Sequence, residues 1–195
     1  MRITGLEYSA LLSYTPRGYS PEMRIARNAM AWLKNDTFVQ NPPILMSQWI
    51  AQTVRSYMST PQFEALFNPN TILVPIPKSS LMVPDALWVP QRLATALVGI
   101  GLGKAVATCL NRVKAVQKAA FCAPAEKPTP IQHYETISVQ KNFSEVDEII
   151  LIDDIITRGA TLIGAANRLT EAFQQLISAL LQPCERSAIQ MNSKT

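Results

Sequence analysis

From Ser20 onward the chain switches repeatedly between helical and strand-like spacing of its apolar residues. Ser20 followed by Pro21 and Glu22 is a helix start, and the segment Tyr14–Ser20 before it reads as a turn. Met23, Ala26, Met30 and Leu33 then recur at helical spacing to about Lys34. A second helix is expected from Ile44 to Met58 and a short one from Gln62 to Phe67, with Trp32 and Trp49 as core or half-buried anchors between them. Thr71–Ile76 is a short apolar strand whose end Pro75 marks. From Pro90 a helix carries Leu93, Ala94, Leu97 and Val98 on one face, and Gly99, Gly101 and Gly103 are its terminators. Ala105–Leu110 reads as the next strand, Cys122–Gln132 as an irregular loop marked by Pro124, Pro128 and Pro130, and Tyr134–Val139 as an alternating strand.

Ile149–Ile152 is an uninterrupted apolar run, as expected of a parallel strand covered on both faces. From about Thr161, Leu162, Ala165, Ala166, Leu169, Ala172 and Phe173 return to helical spacing. Leu176–Leu181 serves as strand or helix, Pro183 stops it, and the polar tail after Cys184 is expected to be loose. The succession predicts an α/β protein with a parallel sheet.

The strand at 149–152 ends in two adjacent acids, Asp153 and Asp154. Paired carboxylates do not fit the middle of a buried strand, so both belong at its carboxyl end, where open α/β sheets bind ligands. Thr157, Gly159 and Thr161 follow, offering two hydroxyls and a backbone that can approach an anion. A phosphate at the helix start would meet free N–H groups and the positive end of the dipole. Four apolar residues and two acids also fit a Walker B strand or a receiver-domain acidic pocket. A Walker B strand needs a phosphate loop. The closest stretch, Gly99–Ala105, lacks the first glycine at the required spacing and has Ala105 where Ser or Thr binds magnesium.

Composition narrows the picture further. The 195 residues are 48% hydrophobic and 16% charged, a globular composition of a size for one domain. The formal charge of +4 is too weak to argue for nucleic acid. Between Pro77 and Lys127, however, Lys78, Arg92, Lys104, Arg112, Lys114, Lys118 and Lys127 face only Asp85 and Glu126. A basic middle suits a polyanionic small ligand, or is a solvated basic face. Cys109, Cys122 and Cys184 are widely spaced and His133 is the single histidine, which argues against a His/Cys metal site and a Ser–His–Asp triad. Free thiols, the lack of a signal-peptide core in Met1–Tyr14 and the lack of a membrane-length apolar run predict a cytoplasmic protein that does not engage a membrane.

Residues 149–161 resemble the phosphoribosyl-pyrophosphate (PRPP) binding motif of type I phosphoribosyltransferases. Arg112, Lys114 and Gln117, together with Trp32–Asn35 and Val74–Pro77, resemble the ComF-like branch of that fold. The resemblance implies a Rossmann-like type I phosphoribosyltransferase fold with N-terminal helices (residues 1–68), an α/β core (71–181), a reduced C-terminal hood and a loose tail (184–195). It implies that Asp153 and Asp154 hold the ribose hydroxyls, and that Ile156, Thr157, Arg158, Gly159, Ala160 and Thr161 wrap the 5′-phosphate. Arg158 departs from the small or hydroxyl residue common at its position. The loop Lys78, Ser79, Ser80 would bind pyrophosphate, or is an ordinary polar turn, and residues 122–132 would be a mobile loop closing over the site.

The reaction so implied displaces pyrophosphate at ribose C1 through an oxocarbenium-like transition state. Arg112, Lys114 or Lys78 would neutralise the departing charge, and Asp154 is a candidate proton acceptor. Mg2+ would be carried largely by PRPP itself, with Asp153 and Asp154 as candidate contacts. Two functions are expected of such a chain: a transferase acting on an unidentified acceptor, or a non-catalytic module sensing PRPP or a nucleotide. The fold alone does not decide between them. The branch is associated with DNA uptake and bacterial defence, so the module reading implies a protein or nucleic-acid partner. Homodimers are common in the fold.

Overall fold

The computed structural model describes residues 3–11, 19–64, 66–118, 122–123, 126–140 and 148–173. The expected elements at 176–181 and the tail after Cys184 lie outside these residues, as does most of the turn at 14–20.

Helix α1, Pro21–Asn35, starts as its sequence predicts: the Ser20 hydroxyl accepts from the Met23 amide at 3.3 Å. It ends at Asp36, whose left-handed backbone turns the chain (φ 43°). The Asp36 carboxylate then accepts from the Ser47 amide at 2.8 Å and the Ser47 hydroxyl at 3.1 Å. This buried acid ties α1 to the start of helix α2, Met46–Ser56, across a small hairpin of β1, Phe38–Val39, and β2, Ile44–Leu45. Trp49 is half-buried as expected, whereas Trp32 remains 47% exposed on the outer face of α1. The short helix α3, Pro61–Glu64, leads into the core.

Strand β3, Ile72–Pro75, is central in a parallel sheet of order β4–β3–β7, flanked by β4, Ala105–Val106, and β7, Ile149–Ile152. Alternate residues of its strands supply two cores. Ile72, Val74 and Ile149 pack with Leu162, Ala165, Ala166 and Leu169 of helix α6, Ala160–Phe173. Leu73 and Ile152 pack on the other side with Ala51 and Val54 of α2 and Leu93, Ala94 and Leu97 of helix α4, Val89–Gly99. A strand covered on both faces needs no polar alternation, which is why β7 reads as four apolar residues.

Three expectations are corrected. The single strand at 105–110 is two: β4 stops at Val106, and Leu110–Arg112 forms β5, which leaves the parallel sheet to pair antiparallel with β6, Ile137–Val139. The strand expected at 134–139 is β6 alone, because Pro130–Thr136 is helix α5. The irregular segment expected at 122–132, of which residues 124–125 lie outside the described residues, therefore does not extend past Thr129. Thr129 and Gln132 form a capping box around the start of α5, and Pro130 takes the first helical position, where its missing N–H costs nothing.

Candidate functional site

Parallel pairing brings the carboxyl ends of β3 and β7 to one edge of the sheet. Pro75 is in register with Ile152, and the Ile76 amide donates to the Ile152 carbonyl at 2.8 Å. The loop Lys78–Ser80 and the acids Asp153 and Asp154 thus leave neighbouring strands at the same edge. The first loop is held from the far side as well. Arg112 Nε donates to the Lys78 carbonyl at 2.9 Å, and the Val116 amide to the Ser79 carbonyl at 2.8 Å. Lys114 projects, exposed, from the segment so clamped, while Lys78 and Ser79 are half-buried and Ser80 is exposed.

Beyond the acids the chain bends through Ile155–Gly159 into α6. Gly159 has φ of +66°, and a Cβ added there would meet nothing within 4 Å. Its glycine is demanded by backbone conformation and not by crowding. Its carbonyl accepts the Ile163 amide at 2.9 Å, so the helix begins there. As at any helix start, the first amides of α6 have no carbonyl one turn back to bond. Ile156, Thr157 and Arg158 are exposed, and Gly159, Ala160 and Thr161 are half-buried. With Asp153, Pro128 and His133 these six residues line a small, open cleft of about 40 Å³.

The two acids are half-buried. Asp153 Oδ1 accepts the Asp154 amide at 2.9 Å. Burial of its carboxyl, and then the adjacent Asp154 charge, hold the pKa of Asp153 well above the ordinary carboxylate value. A pair of hydroxyl donors or a divalent cation would relieve that repulsion, and carboxylate oxygens are hard donors of the kind magnesium takes.

Two placements differ from expectation. Arg112 is 3% exposed and turns inward, to the Lys78 carbonyl, to Thr136 Oγ1 at 2.6 Å and to His133 Nδ1 at 3.4 Å. Its guanidinium braces the loops and does not face the cleft. Burial lowers its pKa to about 10, still protonated at neutral pH. His133, read from the sequence only as evidence against metal and triad chemistry, lies buried in the cleft lining with Nε2 3.3 Å from Thr161 Oγ1. The capping pattern Thr129–Pro130–Ile131–Gln132 would have placed it on a helix; no sequence signal pairs it with Thr161.

Burial, and then the neighbouring Arg112 charge, lower the His133 pKa from 6.5 to about 4. The folded state therefore resists protonating it. Its contribution to stability is complete above pH 6.5 and is lost as pH falls through 4, a loss on the order of 3 kcal/mol. Denaturant titrations across this range should show the stability difference between the wild type and His133→Gln shifting toward the variant by that amount at low pH. A difference independent of pH would contradict the buried neutral imidazole.

The fold and site define an α/β protein with a polar cleft at the carboxyl edge of a small parallel sheet. The chain matches no family model, no curated protein and no solved structure. Among the described residues no helix is long and apolar enough to cross a membrane.

Proposed function

We propose that this chain is a phosphoribosyltransferase-like protein of the type I, ComF-like kind. It binds PRPP or a nucleotide and transfers phosphoribose to a nucleophilic acceptor with release of pyrophosphate. One observation carries the reading: a strand covered on both faces delivers Asp153 and Asp154 to the sheet edge shared with Lys78–Ser80, and a positive-φ glycine turn leads directly into a helix. In this reading Asp153 and Asp154 accept the ribose hydroxyls, and the amides and hydroxyls of residues 156–161 take the 5′-phosphate. The Lys78–Ser80 loop takes pyrophosphate. Asp153 and Asp154 would hold, on the protein side, a Mg2+ brought by PRPP, which would supply charge neutralisation at its phosphates. Lys78 and Lys114 stabilise the leaving group, and Arg112 fixes the loop that presents Lys78.

The inward turn of Arg112 favours a second reading, a module that binds the same ligand without turnover and acts on a protein or nucleic-acid partner. It leaves fewer cations for the departing charge than the sequence suggests. Magnesium-dependent PRPP binding followed by pyrophosphate release on adding a mixture of nucleobases supports the transferase. Tight PRPP binding with no release supports the module. No binding of either PRPP or nucleotides rejects both.

A further inference from the structure

We propose that Arg112 and His133 form a buried positioning relay that joins the two ligand loops and forces the Thr161 hydroxyl to act as a hydrogen-bond donor toward the cleft. The proposal rests on the phosphate-binding reading of the 156–161 turn.

The chain of contacts is continuous. Arg112 Nε reaches the Lys78 carbonyl at 2.9 Å and Nη2 lies 3.4 Å from His133 Nδ1. His133 Nε2 lies 3.3 Å from Thr161 Oγ1, in the first turn of α6. A guanidinium can only donate, so the His133 nitrogen facing it carries no proton. A neutral imidazole then bears its proton on Nε2, and that proton points at Thr161 Oγ1. The Thr161 oxygen accepts it, which leaves the threonine's own O–H free to swing into the cleft. A hydroxyl that has accepted a bond donates more strongly, and donation is what an anionic phosphate oxygen requires.

The scaffold fixes this geometry tightly. Arg112 Nη1 is held by Thr136 Oγ1, on the same helix as His133. Helix α5 is pressed against α6 at Gly164, where an added Cβ would sit 2.7 Å from His133 Cβ. Because the far end of the relay is the Lys78 carbonyl, the loop assigned to pyrophosphate and the turn assigned to phosphate share one buried strut. His133 and Arg112 touch no ligand; they position the groups that do.

His133 is the only histidine, so its ring nitrogens give a single set of signals in long-range proton–nitrogen NMR. The expected spectrum is the Nε2–H tautomer at neutral pH, and an Nδ1–H tautomer would overturn the relay. The second readout is calorimetric titration with ribose 5-phosphate. His133→Leu and Thr161→Val should each weaken binding about tenfold, the worth of one hydrogen bond to a charged group. The double variant should lose no more than either single one. His133→Gln, whose amide N–H can replace Nε2–H, should stay near wild type, and circular dichroism checks that each variant is folded. Additive losses, or affinity indifferent to His133→Leu, overturn the relay while leaving the pocket standing. Failure of the wild type to bind ribose 5-phosphate removes the pocket, and the relay with it.

Discussion

PRPP affinity should fall at least about a hundredfold when Asp153 and Asp154 are both replaced by Asn, and the fold should survive. A hydrogen bond from a ribose hydroxyl to a carboxylate contributes about 1.5–3 kcal/mol, so losing two such bonds exceeds the roughly 2.8 kcal/mol that a hundredfold change represents. Stability should move little, or rise. The Asp153 pKa is raised by burial and by the neighbouring acid, so the folded state holds the proton more tightly than the unfolded chain does. Its contribution to stability is present at low pH and is lost as pH rises through the folded-state pKa. At neutral pH a neutral amide removes the repulsion and keeps the shape. Calorimetry of PRPP with magnesium measures the first effect and thermal melting the second. Unchanged affinity would reject the ribose contacts; a collapsed melting transition would make the acids structural.

Gly164→Ala should destabilise the protein by about 2 kcal/mol, although Ala is the better helix former. An added Cβ would lie 2.7 Å from the Pro130 carbonyl oxygen, 2.8 Å from the Tyr134 amide nitrogen and 2.7 Å from His133 Cβ. Two of these are backbone atoms of α5, which cannot rotate away, so the helix itself must move. The overpacking outweighs the gain in helix propensity of about 1 kcal/mol. Displacing α5 also carries His133 away from Thr161, so the variant should bind phosphate ligands more weakly than its stability loss alone explains. Urea denaturation should give a lower midpoint with an unchanged slope. A rise in midpoint would show that the two helices are not in such close approach.

The parts of the molecule that the sequence announces are those where local chemistry and burial agree. Ile149–Ile152 reads as a doubly covered strand because each of its faces meets a different core. The helix after Gly159 reads correctly because Leu162, Ala165, Ala166 and Leu169 follow one face. Ser20–Pro21 marks α1 because the capping bond is three residues long. Failures cluster where tertiary pairing decides. Residues 105–110 look like one strand by composition, but the chain leaves the parallel sheet after Val106, and Leu110–Arg112 joins β6. Pro130 reads as a loop marker because prolines at 124 and 128 precede it; its position directly after Thr129 is the signal that mattered. At the site, the acids and the turn are local in sequence and so are legible. The relay is not, since Lys78, Arg112, His133 and Thr161 sit on four separate elements and meet only through packing. The same is true of Gly164, whose lack of a side chain is explained by α5 and by nothing in its own helix.

The most direct measurement is a structure determined with PRPP and magnesium bound. The 5′-phosphate should lie against the backbone amides and Thr hydroxyls of residues 156–161, the ribose hydroxyls on Asp153 and Asp154, and the pyrophosphate beside Lys78–Ser80. PRPP bound elsewhere on the molecule, or a 156–161 turn filled by the protein's own side chains, would contradict this arrangement.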